Sequence, residues 1–384
     1  VFPDPSITGD GQDRRWMKLA LDLAERGRGR VEPNPMVGAV VVRDGRQVGQ
    51  GHHEQFGGPH AEIHALEASG RSAHGATLYV TLEPCCHFGK TPPCTDRVLA
   101  AGVSRVVAAI QDPFPRVNGG GISILRQAGV IVDVGCLADD ARRQNAPYWK
   151  RQMTGMPYVT AKWAMTLDGK TATVKGDSRW ISSDLSREAV HELRSRMDGI
   201  IIGISTAECD DPLLTARVPH PPRRPVRIVL DSSLRLSEAS RLVQTARETK
   251  VLVATTDRAP GDRRIALEEA GCEVVEFPST GGVPVDALLR ELGNRQMTNI
   301  LIEGGGRVAG AFLDAGQIDG VDVFVAPMIE GGDHSVTPVR GSGRSMMNQA
   351  LRLRDVVSET LGPDARIRGW IPQEWRSAAG FRDD

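Results

Sequence analysis

The chain has 384 residues, with 47 Lys+Arg against 48 Asp+Glu, a net charge of −1, and 40% hydrophobic residues. At roughly 150 residues per domain, this predicts two or three domains with ordinary cores and excludes a mostly disordered chain. The balanced charge excludes a basic nucleic-acid surface as the default, and no run nears the ~18 apolar residues of a membrane helix. The first eleven residues have neither a basic start nor an apolar core, so no secretory signal and a cytoplasmic location are expected. Six cysteines are too few for a disulfide scaffold, and three of them, Cys85, Cys86 and Cys94, fall close together, as cysteines used for local chemistry do.

In chain order, residues 13–27 carry Trp16, Leu19, Ala20, Leu23 and Ala24 on one helical face. Residues 37–42 form an apolar strand that ends at the hairpin-turn pair Asp44-Gly45. A helix is predicted over 60–68, a buried strand over 76–82, a helix over 95–101 and a strand over 103–110. A helix over 121–128 and a strand over 130–134 close this unit near Gly135. Residues 139–157 read as a short helix plus linker. A second alternating block follows. Its strands are predicted at 158–165, 199–204, 226–230, 251–254, 272–277, 299–302 and 321–326. Its helices are predicted at 183–197, 262–270, 285–296 and 307–315. The four prolines of 218–225 mark a connection, 351–370 has weak strand character, and the last dozen residues read as a polar tail. Strands alternating with helices predict an α/β class throughout.

The strongest chemical signal is His60-Ala61-Glu62, followed by Pro84-Cys85 and Cys94. One imidazole and two thiolates make three ligands for a tetrahedral Zn²⁺ and leave one position for water. Glu62 is placed to move protons without ligating. In zinc deaminases the metal hydroxide attacks an amidine-like carbon while such a Glu carries protons to the leaving amine. A metalloprotease helix would need Glu directly after the first His of His60-x-x-x-His64, and Glu62 stands one residue too far along. The Cys85–Cys94 spacing is wider than the usual Cys-x-x-Cys. Cys86 is read as a bystander and His64 as a core or supporting histidine.

The blocks Asn34-Pro35-Met36-Val37-Gly38-Ala39, Gly57-Gly58-Pro59-His60-Ala61-Glu62, Thr81-Leu82-Glu83-Pro84-Cys85 and Gly89-Lys90-Thr91-Pro92-Pro93-Cys94 closely resemble the bifunctional riboflavin-biosynthesis deaminase–reductases. That family has the long Cys-to-Cys loop, and the resemblance runs from about residue 13 to 371. It implies a cytidine-deaminase-like α/β/α domain over 12–150, a dihydrofolate-reductase-like α/β domain over 151–371 and a tail over 372–384. The implied deaminase takes a diaminopyrimidinone carrying ribose 5-phosphate and replaces its 2-amino group by water. The resemblance gives His60, Cys85 and Cys94 as zinc ligands, Glu62 as proton shuttle, and Asn34 as a contact to the base. An Asn-Pro turn residue is the plainer alternative for Asn34.

The second half carries Lys162, Asp168-Gly169-Lys170-Thr171, Trp180-Ile181-Ser182-Ser183, the block 210–217 and Glu303-Gly304-Gly305-Gly306. Alone, the glycine run favours a tight structural turn over a phosphate-binding helix start. The set resembles the family's NADPH-dependent reductase half, which reduces the ribosyl group to ribityl. The resemblance implies cofactor contacts at Ala164, Trp180, Thr206, Asp210, Ser232, Gly305, Gly306, Arg307, Val308, Ala309, Gly310 and Ala311. It implies substrate contacts at Ser178, Arg194, Leu214, Arg217 and Glu303. Lys162 and Asp210 are candidates for proton handling or sugar orientation, and the two arginines suit a phosphate dianion. A small-molecule substrate is expected, with no nucleic acid and no membrane, in a homo-oligomer. A deaminase with a non-catalytic second domain would fail to oxidise NADPH, and a nucleic-acid deaminase would show salt-dependent RNA binding.

Overall fold

The structure, a computed structural model, describes residues 9–89, 92–219 and 221–381. Lys90 and Thr91 of the cysteine loop, and the last residues of the tail, lie outside the described residues. The chain divides into a unit that runs to Thr154 and includes the segment from Ser377, and a second unit, Gly155–Arg376.

The first unit contains strands β1 (Gly38–Arg43), β2 (Arg46–His52), β3 (Thr77–Val80), β4 (Arg105–Ala108) and β5 (Ile131–Val134). Its helices are α1 (Gly9–Ala24), α2 (Ala61–Ser69), α3 (Cys94–Ala100), α4 (Gly120–Gln127), α5 (Ala138–Gln144) and α6 (Ala146–Thr154). The sheet order is β2-β1-β3-β4-β5, with β1 antiparallel to both neighbours and β3-β4-β5 parallel. Helices cover both faces, and glycines permit their approach. A Cβ on Gly38 would lie 1.9 Å from the Ala20 carbonyl oxygen in α1, and one on Gly51 would lie 2.4 Å from Cβ of His64 in α2. Gly51 pairs with Ala39, the residue after Gly38, and successive strand residues face opposite sides. Helices α1 and α2 therefore pack on opposite faces, giving α/β/α layers.

Two local readings change. The Asp44-Gly45 turn leads into β2, a strand the sequence pattern hides because Gly49 and Gly51 replace its inward side chains. Residues 139–157 hold two helices, α5 and α6, where one helix and a linker are predicted. Pro147 suggests a break, but it sits in the first turn of α6, where a missing N–H costs nothing. Between the two helices, the buried Asn145 accepts from the Met36 N–H and donates to the Met36 carbonyl, both at 2.8 Å.

The second unit contains strands β6 (Tyr158–Thr166), β7 (Gly199–Gly203), β8 (Val226–Leu230), β9 (Val251–Thr255), β10 (Glu273–Glu276), β11 (Asn299–Glu303), β12 (Gly320–Ala326), β13 (Arg354–Leu361) and β14 (Asp364–Trp370). Its helices are α7 (Asp184–Arg194), α8 (Ile204–Asp210), α9 (Arg241–Gln244), α10 (Gly261–Glu269), α11 (Val285–Asn294) and α12 (Gly306–Asp314), and α13 (Glu374–Ala378) follows near the C-terminus. One sheet runs β10-β9-β8-β7-β11-β6-β12-β14-β13, parallel as far as β12 and antiparallel at the β14-β13 edge. Ile201, Ile300 and Ile302 enter one core, while Ile200, Ile202 and Leu301 enter the other. Both faces are thus buried, as a parallel sheet with helical crossovers requires.

Helix α8 and the β13–β14 hairpin extend the sequence reading. β13 is mostly exposed, so it lacks the apolar alternation that marks a strand. The stretch read as a polar tail contains α13, whose Trp375 and Arg376 are buried, and also the buried Phe381. Its three buried large side chains, Trp375, Arg376 and Phe381, are outnumbered by polar neighbours, which is why composition conceals it. Among the described residues, no helix is long and apolar enough to cross a membrane.

Candidate functional site

In the first unit, His60 is the residue before α2, and Cys94 opens α3 directly after Pro93. Cys85 follows β3 and is tied to α3 by the Thr95 N–H, which donates to the Cys85 carbonyl at 3.2 Å. His60 Nδ1 lies 3.5 Å from Cys85 Sγ and 3.3 Å from Cys94 Sγ, and the Cys94 N–H donates to Cys85 Sγ at 3.4 Å. The three ligand atoms lie within 4.8 Å of one another. Zinc bonds of about 2.0–2.3 Å at tetrahedral angles put ligand atoms roughly 3.5–3.8 Å apart. The set fits zinc, and two helix N-termini converge on the same point, favouring thiolate there. The Cys94 thiol, hydrogen-bonded to Cys85, is pushed up, and the same contact brings Cys85 down to about 4. Cys86 turns away, with Sγ 3.7 Å from the Arg116 carbonyl, and His64 packs against Gly51 outside the cluster.

Glu62 sits in the first turn of α2 at 3% exposure, and burial raises its pKa to about 7. Near neutrality, such a carboxyl exchanges protons at little cost in either direction. The loop bearing Cys85 is pinned by its buried neighbour Glu83. That carboxylate accepts N–H bonds from Asp112 at 3.1 Å, Gly119 at 2.9 Å and Ile122 at 3.0 Å.

The cluster opens into a cavity of about 270 Å³, at the small end for a small-molecule site. Asn34 and His53 line it beside His60 and Glu62. The sequence reading missed His53. Its Nδ1 lies 2.9 Å from the Pro59 carbonyl and its Nε2 lies 3.3 Å from Asn34 Nδ2. A carbonyl can only accept, so Nδ1 carries the proton and Nε2 accepts from Asn34. Burial lowers the His53 pKa and keeps it in that neutral form. His53 thus fixes the Asn34 amide, which distinguishes it from a free Asn-Pro turn residue. Only the His52-His53 pair at a strand end marks this in the sequence. Asp112 lines the same wall, accepts from Tyr148 at 2.9 Å, and is raised to about 6 by burial.

In the second unit, Lys162 and Ala164 lie on β6, and Lys162 pairs in register with Glu303 of β11 and Asp322 of β12. Arg194, from the last turn of α7, meets Glu303 in a fork, Nε to Oε1 at 2.5 Å and Nη2 to Oε2 at 2.7 Å. Burial alone would raise Glu303, but Arg194 and Lys162 hold it below its ordinary value. Arg217 is bound differently, donating from Nε and Nη2 to His191 Nε2 at 3.0 and 2.9 Å. The two arginines are therefore not equivalent. Arg194 is neutralised by a carboxylate, whereas Arg217 keeps its full charge beside an imidazole whose pKa burial lowers.

Ser178 donates to Asp210 at 3.3 Å, and Thr206 of α8 packs on the Gly304–Gly305 turn, where both glycines have positive φ. Gly304, Gly305, Arg307 and Ala311 are exposed, while Gly306, Val308, Ala309 and Gly310 are buried. A Cβ on Gly306 or Gly310 would strike the carbonyls of Thr337 or Arg340 at 2.4 and 2.0 Å, so these two glycines serve packing. Leu214 is buried, Ser232 follows β8, and the exposed Trp180 stacks with the Arg187 guanidinium 4.6 Å from its ring centre.

Residues 10–110 match the cytidine and deoxycytidylate deaminase zinc-binding region, and residues 157–367 match the RibD C-terminal domain. The riboflavin biosynthesis protein RibD of Aquifex aeolicus is 40% identical over 92% of this chain and 97% of its own length. The structure of Acinetobacter baumannii RibD, form 1, is 37% identical with a TM-score of 0.84, over 95% of this chain and all of that one. A diaminohydroxyphosphoribosylaminopyrimidine deaminase/5-amino-6-(5-phosphoribosylamino)uracil reductase from Thermotoga maritima is 35% identical with a TM-score of 0.81, over the same shares. With a zinc-ligand cluster in one unit and a parallel α/β sheet in the other, matched along nearly its whole length, the chain belongs to the RibD family of bifunctional deaminase–reductases of riboflavin biosynthesis.

Proposed function

We propose that the chain performs two successive steps on one pyrimidine ribose-phosphate, with deamination in residues 12–150 and reduction in 151–371. The substrate is 2,5-diamino-6-ribosylamino-4(3H)-pyrimidinone 5′-phosphate. In the first step water replaces the 2-amino group and ammonia leaves. In the second the ribosyl group becomes ribityl. The observation that carries this reading is the convergence of His60, Cys85 and Cys94, with the buried Glu62 beside them, on a cavity walled by an oriented asparagine.

When bound, zinc supplies an activated water and NADPH supplies a hydride for C1′ of the ring-opened sugar. His60, Cys85 and Cys94 hold the metal. Glu62 takes a proton from the water and passes it to the departing amine. The Asn34 amide, oriented by His53, reads the edge of the base. In the second unit, Thr206, Ser232, Asp210 and the exposed Gly305 and Arg307 serve the cofactor, with Trp180 and Ala164 beside them. Val308, Ala309 and Gly310 are buried along α12. Ser178, Leu214 and Glu303 shape the sugar site, and Arg194 orients Glu303. Arg217 anchors the phosphate. Ring opening breaks the C1′–O4′ bond and moves the amine proton to O4′. Lys162 would give one proton to the amine nitrogen when C1′ is reduced and the C=N electron pair falls to that nitrogen.

Glu62→Gln tests the first half. The variant is expected to retain its zinc and its reductase rate while ammonia release falls by about 10²–10⁴-fold, the usual worth of a general acid–base group. Near-normal ammonia release from the zinc-loaded variant would remove Glu62 from the mechanism.

A further inference from the structure

Lys162 is flanked in register by two carboxylates and joined to neither. Among the described residues, its ammonium makes no hydrogen bond or ion pair. It lies 5.6 Å from the centre of the Phe324 ring. On one side, Glu303 is occupied by the Arg194 fork. On the other, Asp322 is occupied by a matching fork from Arg366 of β14, Nε to Oδ1 at 2.8 Å and Nη2 to Oδ2 at 2.6 Å. Asp322 is buried and Arg366 is half-buried, with side chains 5% and 14% exposed. Arg366 stands 5.2 Å from the Phe324 ring that Lys162 also faces, and its remaining Nη1 donates to Glu359 of β13 at 3.1 Å.

This is an expensive arrangement for stability alone. A buried arginine–carboxylate pair often contributes no more than apolar side chains of the same volume would. An unpaired ammonium between two carboxylates would ordinarily close on one of them. Here an arginine fork occupies each carboxylate and leaves the lysine free.

We infer that the Arg366–Asp322 pair is a positioning device for the reductase step: by occupying Asp322 it keeps the Lys162 ammonium open to the substrate. The inference rests on the reading of Lys162 as the proton donor to the amine nitrogen. In that step one N–H bond of the ammonium breaks, a new N–H bond forms on the substrate nitrogen, and solvent reprotonates the neutral lysine. The charged groups facing Lys162 are Glu303 from β11, Asp322 from β12, Arg366 and Arg368 from β14, Arg194 from α7 and Glu359 from β13. Burial already lowers the lysine pKa from its ordinary 10.5, so the alkaline limb of reduction lies below that value.

The test measures single-turnover hydride transfer against pH in the full-length enzyme. Arg366→Met releases Asp322 to pair with Lys162. The rate is expected to fall about tenfold or more, and the alkaline limb to move to higher pH. Asp322→Asn removes a stabilising anion, and the limb is expected to move to lower pH. Arg366→Lys keeps a cation on Asp322 and should leave the limb in place, covering the case in which the methionine variant fails to fold. Opposite shifts from the two charge-changing variants cannot come from general structural damage. If Lys162→Met abolishes reduction and neither limb moves, the inference is overturned while the role of Lys162 stands. If Lys162→Met reduces normally, the role of Lys162 falls and the inference with it.

Discussion

At the scale of single residues, chemistry depends on which side chains are already partnered. Arg194 and Arg217 look alike in the sequence, yet one is fork-paired to Glu303 and the other is held by His191. Only the second offers an uncompensated charge to a phosphate. A charge-assisted contact is worth roughly 1.5–3 kcal/mol. Arg217→Ala should therefore lower reductase kcat/KM about ten- to a hundredfold, and Arg217→Lys should recover only part of it, because an ammonium lacks the planar fork. Deamination should not change. Steady-state rates on the phosphorylated substrate and on its dephosphorylated analogue check this, and equal losses on both would mean that Arg217 serves something other than the phosphate. The cluster of His60, Cys85 and Cys94 was legible from residue type, while the wide Cys85–Cys94 spacing was explained only by the family resemblance. His53 was not legible, because its role arises from a proline carbonyl and an asparagine delivered by separate loops.

At the scale of elements, the sequence was read well where side chains carry the pattern and poorly where their absence does. β1 and the parallel strands of the second unit announce themselves by apolar runs. β2 does not, because its inward positions are glycines under α2. That packing also sets His60, the residue from which α2 starts. Gly51→Ala would push a methyl into His64 and the carbonyl of Ala61, at 2.4 and 2.7 Å from the new carbon. The expected cost is roughly 1–3 kcal/mol, seen as a lower unfolding midpoint of the first unit with reductase activity intact. An unchanged midpoint would show that α2 has room to move.

A second tie, between α1 and β4, predicts a pH dependence. Asp13 accepts from Tyr79 at 2.6 Å and from two Arg105 nitrogens at 2.9 and 2.7 Å. Burial alone would raise its pKa, but these hydrogen bonds hold it below the ordinary 3.8. A carboxylate lowered on folding stabilises above its unfolded pKa and loses that contribution as pH falls through the folded one. Denaturant midpoints of the first unit should therefore drop below about pH 3.8, and Asp13→Asn should flatten that part of the curve. A wild-type curve as flat as the variant's would contradict the assignment.

At the scale of the whole molecule, the two units carry two different architectures, and the alternation of strands and helices already implied two α/β blocks. What composition could not convey was the end of the chain, where Trp375, Arg376 and Phe381 are buried within a stretch of polar neighbours. Nor could it convey that the glycine run at α12 divides, with Gly304 and Gly305 open and Gly306 and Gly310 closed by backbone contacts. The central claim is that one chain deaminates and then reduces one substrate. The direct test supplies the zinc-loaded protein with the diaminopyrimidinone ribose-phosphate, with and without NADPH, and identifies the products by mass. Without NADPH, the expected product has exchanged NH for O and released one ammonia. With NADPH, that product gains two hydrogens at the sugar while one NADPH is oxidised for each ribityl product formed. Ammonia release with no NADPH oxidation on the deaminated compound would contradict the account.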